Sequence, residues 1–203
     1  MDYCPKCGNS GVLPSGDACD CRYARVGDLY QSLGECVDIP AQYQGLQFNS
    51  ALLPKHLDAS YINFMQTLYE QIITQRLKYH NYVICSPPSS GKTILSYACL
   101  EHLYRRGQEI YPVKDVLEIR KEMETEPRLY SVPYIFVRIQ PELSFQVYAT
   151  IATLLDRRVR SGTSTIFLYN GTWENLIFAD NRNLVSHLQG NGAYCTVEVK
   201  TWN

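Results

Sequence analysis

The sequence has almost no net charge. Nineteen Lys and Arg stand against 20 Asp and Glu, a formal balance of −1, so no global basic field holds a nucleic-acid duplex by counterion release. Any DNA contact is left to a local patch. Long apolar runs are missing as well: no segment approaches the ~18 uninterrupted apolar residues of a membrane span, and the opening MDYCPKCG has none of the apolar core of a secretory signal. The expectation is a soluble, cytoplasmic protein with no membrane association. A third deficit concerns acids. The apolar run YIFVRI, residues 134–139, ends in Arg138 and Ile139, and no other apolar run in the chain ends in Asp-Asp or Asp-Glu.

What is present suffices for one main domain, since 203 residues at 45% hydrophobic can bury a substantial core. The 16 tyrosines give that core large apolar bodies whose hydroxyl ends must reach water or a partner. Cysteine usage is uneven: of eight, Cys4, Cys7, Cys19 and Cys21 crowd the start, which points to metal before disulfides. In CPKCGNSGVLPSGDACDC paired thiols close both ends of a Gly-rich loop, so four thiolates can converge on a structural zinc at roughly 2.3 Å. The second pair has one intervening residue, an uncommon spacing, and Cys36 or His56 is an alternative ligand; a reduced cysteine-rich tail without metal is the plainer reading. Residues 22–50, polar and small with Pro40 in the middle, read as a linker with a short helix that tethers without fixing an angle. The expected division is a zinc-binding module over 1–35, a linker over 36–60 and a nucleotide-binding domain over 61–203.

In the main part, YINFMQTLYEQIITQRL repeats apolar positions at helical spacing, with Ile62, Met65, Leu68, Tyr69, Ile72 and Ile73 on one face. YVICSPPSSGKTILSYACL then reads as strand, loop and helix. That is the context of a phosphate loop, in which backbone N–H groups and a helix N-terminus face the phosphates, Lys neutralises their oxygens and Thr binds magnesium. Against G-x-x-x-x-G-K-[ST] the chain offers S-P-P-S-S-G-K-T. The candidate binding residues are Ser86, Ser90, Gly91, Lys92 and Thr93, with Ser86 in the place of the first glycine, where a positive φ would be harder. A bare turn or a decayed site is the plainer alternative. Further on come a short strand with a helix that turns Val116, Leu117, Ile119 and Met123 inward, a strand over 132–139, a helix over 142–160 and a fourth strand in TSTIFLYNGT. Such alternation argues an open parallel α/β sheet with helices on both faces and function at the C-terminal strand ends.

Loop-type ATPases hold hydrated magnesium on an aspartate at the end of a second strand, and here that place falls to Arg138 and Ile139. A guanidinium repels the ion, and is suited instead to a phosphate or to an acid elsewhere. Glu142, just downstream, is the candidate substitute. Asn170 stands at a strand end, where its amide suits orienting a water or a γ-phosphate, or equally a turn before Gly171. Arg157, Arg158 and Arg160 cluster at a helix C-terminus, favourable for dipole reasons alone and the best local candidate for a subunit contact or a DNA phosphate.

Taken together, CPKCG with CDC, VDIPAQYQGLQF, YVICSPPSSGKTILSYACLEHLYRRG, DVLEIRKEM and LLDRRVRSGTSTIFLYN resemble the AAA+ helicase loaders of bacteria and their phages, the DnaC/DnaI/IstB-like group that includes ATPases assisting transposases. The likeness runs over nearly the whole chain. It implies an AAA+ (RecA-like) P-loop parallel sheet flanked by helices behind an N-terminal zinc-binding module, binding ATP or ADP with Mg2+. It also implies a replicative hexameric DNA helicase as partner, contact with single-stranded DNA, and self-assembly into a ring or spiral. Asn170 falls on the family's sensor position. In NRNLVSHLQGNG, His187 stands where the family places an arginine that reaches a neighbouring subunit's γ-phosphate, with Arg182 as stand-in; Asn170, Arg182 and His187 are thus the candidate catalytic residues. Losing the metal acid and the trans arginine removes transition-state stabilisation, the latter alone worth roughly 10³ to 10⁵ in rate. The expectation is a loader or loader-like adaptor from a virus or mobile element, acting in the bacterial cytoplasm, whose ATPase is weak or inactive. Two alternatives stand beside it: an active DNA-stimulated ATPase loader, and an inhibitor that sequesters the host helicase or its loader.

Overall fold

The computed structural model describes residues 38–55, 57–77, 81–140, 145–172 and 176. Strand β1 (Asn81–Ser86) is buried at every position, as a run of NYVICS with apolar side chains on both faces requires. It leads through the GKT loop into helix α2 (Lys92–Arg105), and helix α1 (Ala59–Ile73) precedes it. Strand β2 is only Lys114–Asp115 and passes directly into α3 (Val116–Glu122). A single turn, α4 (Arg128–Ser131), precedes β3 (Tyr134–Ile139). Helix α5 (Phe145–Arg160) and β4 (Ser164–Asn170) follow.

The sheet order is β1-β4-β3-β2 and each adjacent pair runs parallel, so the open parallel α/β architecture expected from the alternation is present. Strand β4 lies between β1 and β3, which brings the C-terminal ends of the phosphate-loop strand and the acid-poor strand to the same edge of the molecule, one strand apart.

Alternation along the strands divides the core in two. Tyr82, Ile84, Tyr134, Phe136, Ile166 and Leu168 face α1 and α2, whereas Val83, Cys85, Ile135, Val137, Ile139, Phe167 and Tyr169 face α3 and α5. Cys85 and Cys99 form no disulfide and are buried in these two cores, where they pack as small side chains. Asp58 caps α1 by accepting from Ser60 N at 2.7 Å. The buried stripe of α1 is Tyr61, Met65, Leu68, Tyr69 and Ile72. Tyr61, not part of the expected face, is fully buried with Met65 and Ile72, whereas Ile62 and Ile73 are only partly buried. On α3, Val116 and Ile119 are buried and Met123 packs beside them, but Leu117 is 53% exposed; a seven-residue helix turns too narrow a face inward to include it.

The described part of the stretch expected as a free tether is packed against the domain. Ile39, Phe48, Leu53 and Leu57 are buried in the α1/α2 core. Tyr43 stacks on Tyr97 of α2 at 4.4 Å between ring centroids, and Gly45 N donates to the buried Glu101 carboxylate at 2.8 Å. Asp38 pairs with Arg128 at 2.9 Å. Ile39, Tyr43, Leu46 and Phe48 of DIPAQYQGLQF thus form a strap that covers α2. Their irregular spacing shows neither helical nor strand period, which is why periodicity read them as linker.

Candidate nucleotide-phosphate site

The loop between β1 and α2 is formed by Ser86-Pro87-Pro88-Ser89-Ser90-Gly91. Its left-handed residues are Ser89 (φ 61°) and Gly91 (φ 91°). Ser86 instead ends β1 in extended conformation, so the missing first glycine imposes no φ penalty there. The strained position is Ser89, where a non-glycine residue costs roughly 1 to 2 kcal/mol. Gly91 caps α2 without any side-chain acceptor, and the first-turn N–H groups of a helix have no intrahelical partner. These groups, with the helix dipole, are suited to an anion.

The lysine is turned back into its own loop. Lys92 Nζ donates to Ser86 O and Pro87 O at 2.8 Å each and to Ser86 Oγ at 2.7 Å, with Ser90 Oγ at 3.1 Å. The two serine hydroxyls are 2.6 Å apart, and Tyr61 Oη lies beneath both, at 3.3 Å from Ser86 Oγ and donating to Ser90 Oγ at 3.2 Å. Lys92 is only 7% exposed, and desolvation pushes its pKa down to about 8. On the other side, Leu53 of the strap lies against the loop: a Cβ built on Gly91 would meet Leu53 Cδ2 at 2.1 Å. Tyr61 and Leu53 were not legible as site residues. Both sit in apolar surroundings, and only the tertiary packing brings them to the loop.

Asn170 is exposed at the end of β4 and lies opposite Ser86 in the β1–β4 register. Its amide is therefore beside the start of the phosphate loop. Thr93 follows Lys92 in the first turn of α2 and is partly exposed.

On β3, residue parity puts Arg138 on the face of Tyr134 and Phe136, towards α2. In the β2–β3 register Arg138 is paired with Asp115, and its Nε lies 3.2 Å from Asp115 Oδ1. Gln140 Nε2 donates to the same carboxylate oxygen at 3.3 Å. Burial raises the Tyr97 hydroxyl pKa, and the nearby Arg138 charge opposes that rise; Tyr97 is one helical turn beyond Thr93, on the same side of α2. Parity and register thus place the guanidinium on the sheet face that α2 covers, with Tyr97 of the second turn of that helix as its neighbour there. Where a magnesium-holding strand would end in a carboxylate, this one ends in a cation whose neighbouring acid is already paired with it. Among the described residues no group of three His, Cys, Asp or Glu side chains is placed to hold a metal ion. As far as the described residues go, the arrangement does not fit a carboxylate-anchored magnesium.

The arginine cluster at the end of α5 divides into different roles, and the expected shared contact surface loses its middle member. Arg158 is completely buried. It donates to Leu129 O, Val132 O and Ser164 O and to Thr165 Oγ1, tying α4, α5 and the starts of β3 and β4 together. Arg157 instead donates to Tyr130 Oη at 3.2 Å and lies over its ring, and Arg160 pairs with Asp156 at 2.8 Å. The proposed zinc ligands Cys4, Cys7, Cys19 and Cys21, the alternatives Cys36 and His56, and Glu142, Arg182 and His187 lie outside the described residues. No described helix is long and apolar enough to cross a membrane.

No family model matches the chain, and no curated protein matches it in sequence. Its fold does match solved structures. The DnaC helicase loader is similar with a TM-score of 0.54 at 15% identity, over 78% of this chain and 99% of that one. DnaI is similar with a TM-score of 0.58 at 14% identity, over 81% and 93%. AMPPCP-bound DnaA from Aquifex aeolicus is similar with a TM-score of 0.56 at 16% identity, over 81% and 52%. At such identities the likeness is one of fold: a parallel sheet flanked by helices.

Proposed function

We propose that the chain is a loader-like adaptor, which binds a replicative hexameric DNA helicase and assists its placement on single-stranded DNA, with a nucleotide site that binds phosphate groups but hydrolyses ATP weakly or not at all. The observation that carries this reading is the Arg138–Asp115 pair at the C-terminal edge of β3, in a fold similar to those of a helicase loader and of a replication initiator bound to AMPPCP and single-stranded DNA. A guanidinium there supplies neither a metal ligand nor a general base. The loop keeps its anion-binding parts, so the site retains binding chemistry and loses the groups that would polarise water.

The thiols of Cys4, Cys7, Cys19 and Cys21 belong to the same reading as a structural zinc module, the folding of which would depend on the metal. Helicase capture is assigned to that N-terminal part, and single-stranded DNA contact and self-assembly to the nucleotide-binding part.

The test is a pair of measurements on the full chain: capture of a purified hexameric replicative helicase, and helicase deposited on single-stranded DNA with and without the chain. Capture with increased deposition is expected. Capture with deposition suppressed would replace the loader reading by the inhibitor reading, and absence of capture would overturn both.

A further inference from the structure

We propose that the site takes a nucleoside polyphosphate without a divalent cation, Arg138 supplying beside α2 the positive charge that a carboxylate-held metal supplies in other phosphate loops. This rests on the reading of the loop as a phosphate site, and it names the ionic form of the ligand: free ADP or ATP rather than the magnesium complex.

The argument begins with donors. The ion pair to Asp115 brings Arg138 Nε, on the inner side of the guanidinium, to 3.2 Å from Oδ1 as a contact of charge without hydrogen-bond alignment, and the Arg138 side chain is 41% exposed. The outer edge of the fork, Nη1 and Nη2, lies outside that pair, and an arginine presents such paired donors in the geometry of a phosphate. Register holds the group in place. Arg138 is opposite Asp115 across two parallel strands, so the guanidinium is steered by a strand-borne partner and not by a mobile loop. Lys92 supplies the second cation. Its ammonium now rests on the carbonyls of Ser86 and Pro87, acceptors without formal charge that a phosphate oxygen outcompetes.

Electrostatics then decides the ionic form. Magnesium-bound nucleotide carries two fewer negative charges and presents a dication to this wall of the site. With Arg138 in place and Asp115 already paired, the dication meets repulsion and, among the described residues of this wall, no unpaired carboxylate to hold it. Free nucleotide meets two cations and the uncapped N-terminus of α2. Magnesium therefore competes with the protein for the phosphates.

A fluorescent ADP derivative titrated into the full chain, once in excess EDTA and once in millimolar magnesium, tests this. Binding in EDTA is expected to equal or exceed binding in magnesium. Arg138→Gln is expected to weaken the EDTA affinity by roughly 10- to 100-fold, the range of a lost charged hydrogen bond, and Arg138→Lys by less. Arg138→Asp is expected to reverse the preference, binding only when magnesium is present. Ligand-free thermal melts of the variants separate a binding loss from a folding loss. Tighter binding with magnesium in the unaltered chain, indifference to Arg138→Gln in a folded protein, or no binding in either buffer would each overturn the proposal. Helicase capture by the same samples is read separately, so the adaptor reading can stand or fall independently of this result.

Discussion

Replacing Arg158 by leucine should destabilise the domain by about 3 kcal/mol, although the residue stands in a cluster that sequence alone offers as a subunit or DNA-phosphate contact. The side chain is fully buried and five donor contacts hold it, to Leu129 O, Val132 O, Pro133 O, Ser164 O and Thr165 Oγ1. Leucine leaves these acceptors buried without a partner, at about 1 to 3 kcal/mol for a group so orphaned, while the burial that pushes the Arg158 pKa down to about 9 no longer acts on a charge. A net loss of about 3 kcal/mol lies in the range for breaking a buried hydrogen-bond network. Urea denaturation followed by circular dichroism measures it, with Arg157→Ala as the comparison. Arg157 is 46% exposed and pairs with Glu124 at a loose 3.8 Å, so its loss should cost under ~1 kcal/mol. A change in Arg158→Leu within about 0.5 kcal/mol of the unaltered chain, the range of ordinary surface substitutions, would refute the structural role and return Arg158 to the list of contact candidates.

Gly91→Ala should cost more than its φ of 91° alone explains, because the new Cβ would fall 2.1 Å from Leu53 Cδ2. In a Leu53→Ala background the steric part should disappear and roughly 1 to 2 kcal/mol for the left-handed backbone should remain; equal costs in both backgrounds, by urea denaturation, would show that Leu53 does not lie on the loop. Lys92 should make binding pH-dependent. Its folded pKa is depressed to about 8 from 10.5, so the ammonium is lost as pH rises through about 8, and polyphosphate affinity should fall there, with proton uptake on binding seen by calorimetry in buffers of different ionisation enthalpy. For folding the sign is opposite to that of a lysine gaining a salt bridge: between about pH 8 and 10.5 the unfolded chain binds more protons, so this group's contribution to stability rises with pH across that window. Lys92→Met should flatten both profiles.

The parallel sheet was legible because each strand is a short apolar run bounded by turn residues and each helix carries a 3.6-residue period. The GKT signature placed Gly91 and Lys92 at the head of α2 because the flanking periods, strand then helix, agreed with the motif. The absence of an acid on β3 was legible too, since it is a fact of residue type. What Arg138 does instead required the β2–β3 register, because Asp115 is 23 residues away and belongs to a strand of only two residues. Two errors share one cause. Grouping Arg157, Arg158 and Arg160 as one patch, and treating the stretch around Ile39 and Phe48 as tether, both judged burial from local pattern. The burial of Arg158 depends on carbonyls 26 and 29 residues away, and that of the strap on α2, Glu101 lying 56 residues from Gly45. Ser89, not Ser86, carries the positive φ because the chain leaves β1 extended and turns only after two prolines.

The central claim is that a phosphate loop faces a guanidinium where hydrolysis needs a metal-holding carboxylate. Its most direct test is ATP turnover by the full chain, with helicase and single-stranded DNA present, compared with Lys92→Ala. The account predicts turnover indistinguishable between the two proteins; turnover that depends on Lys92 and reaches the ~1 s⁻¹ or more of ordinary enzymes would contradict it.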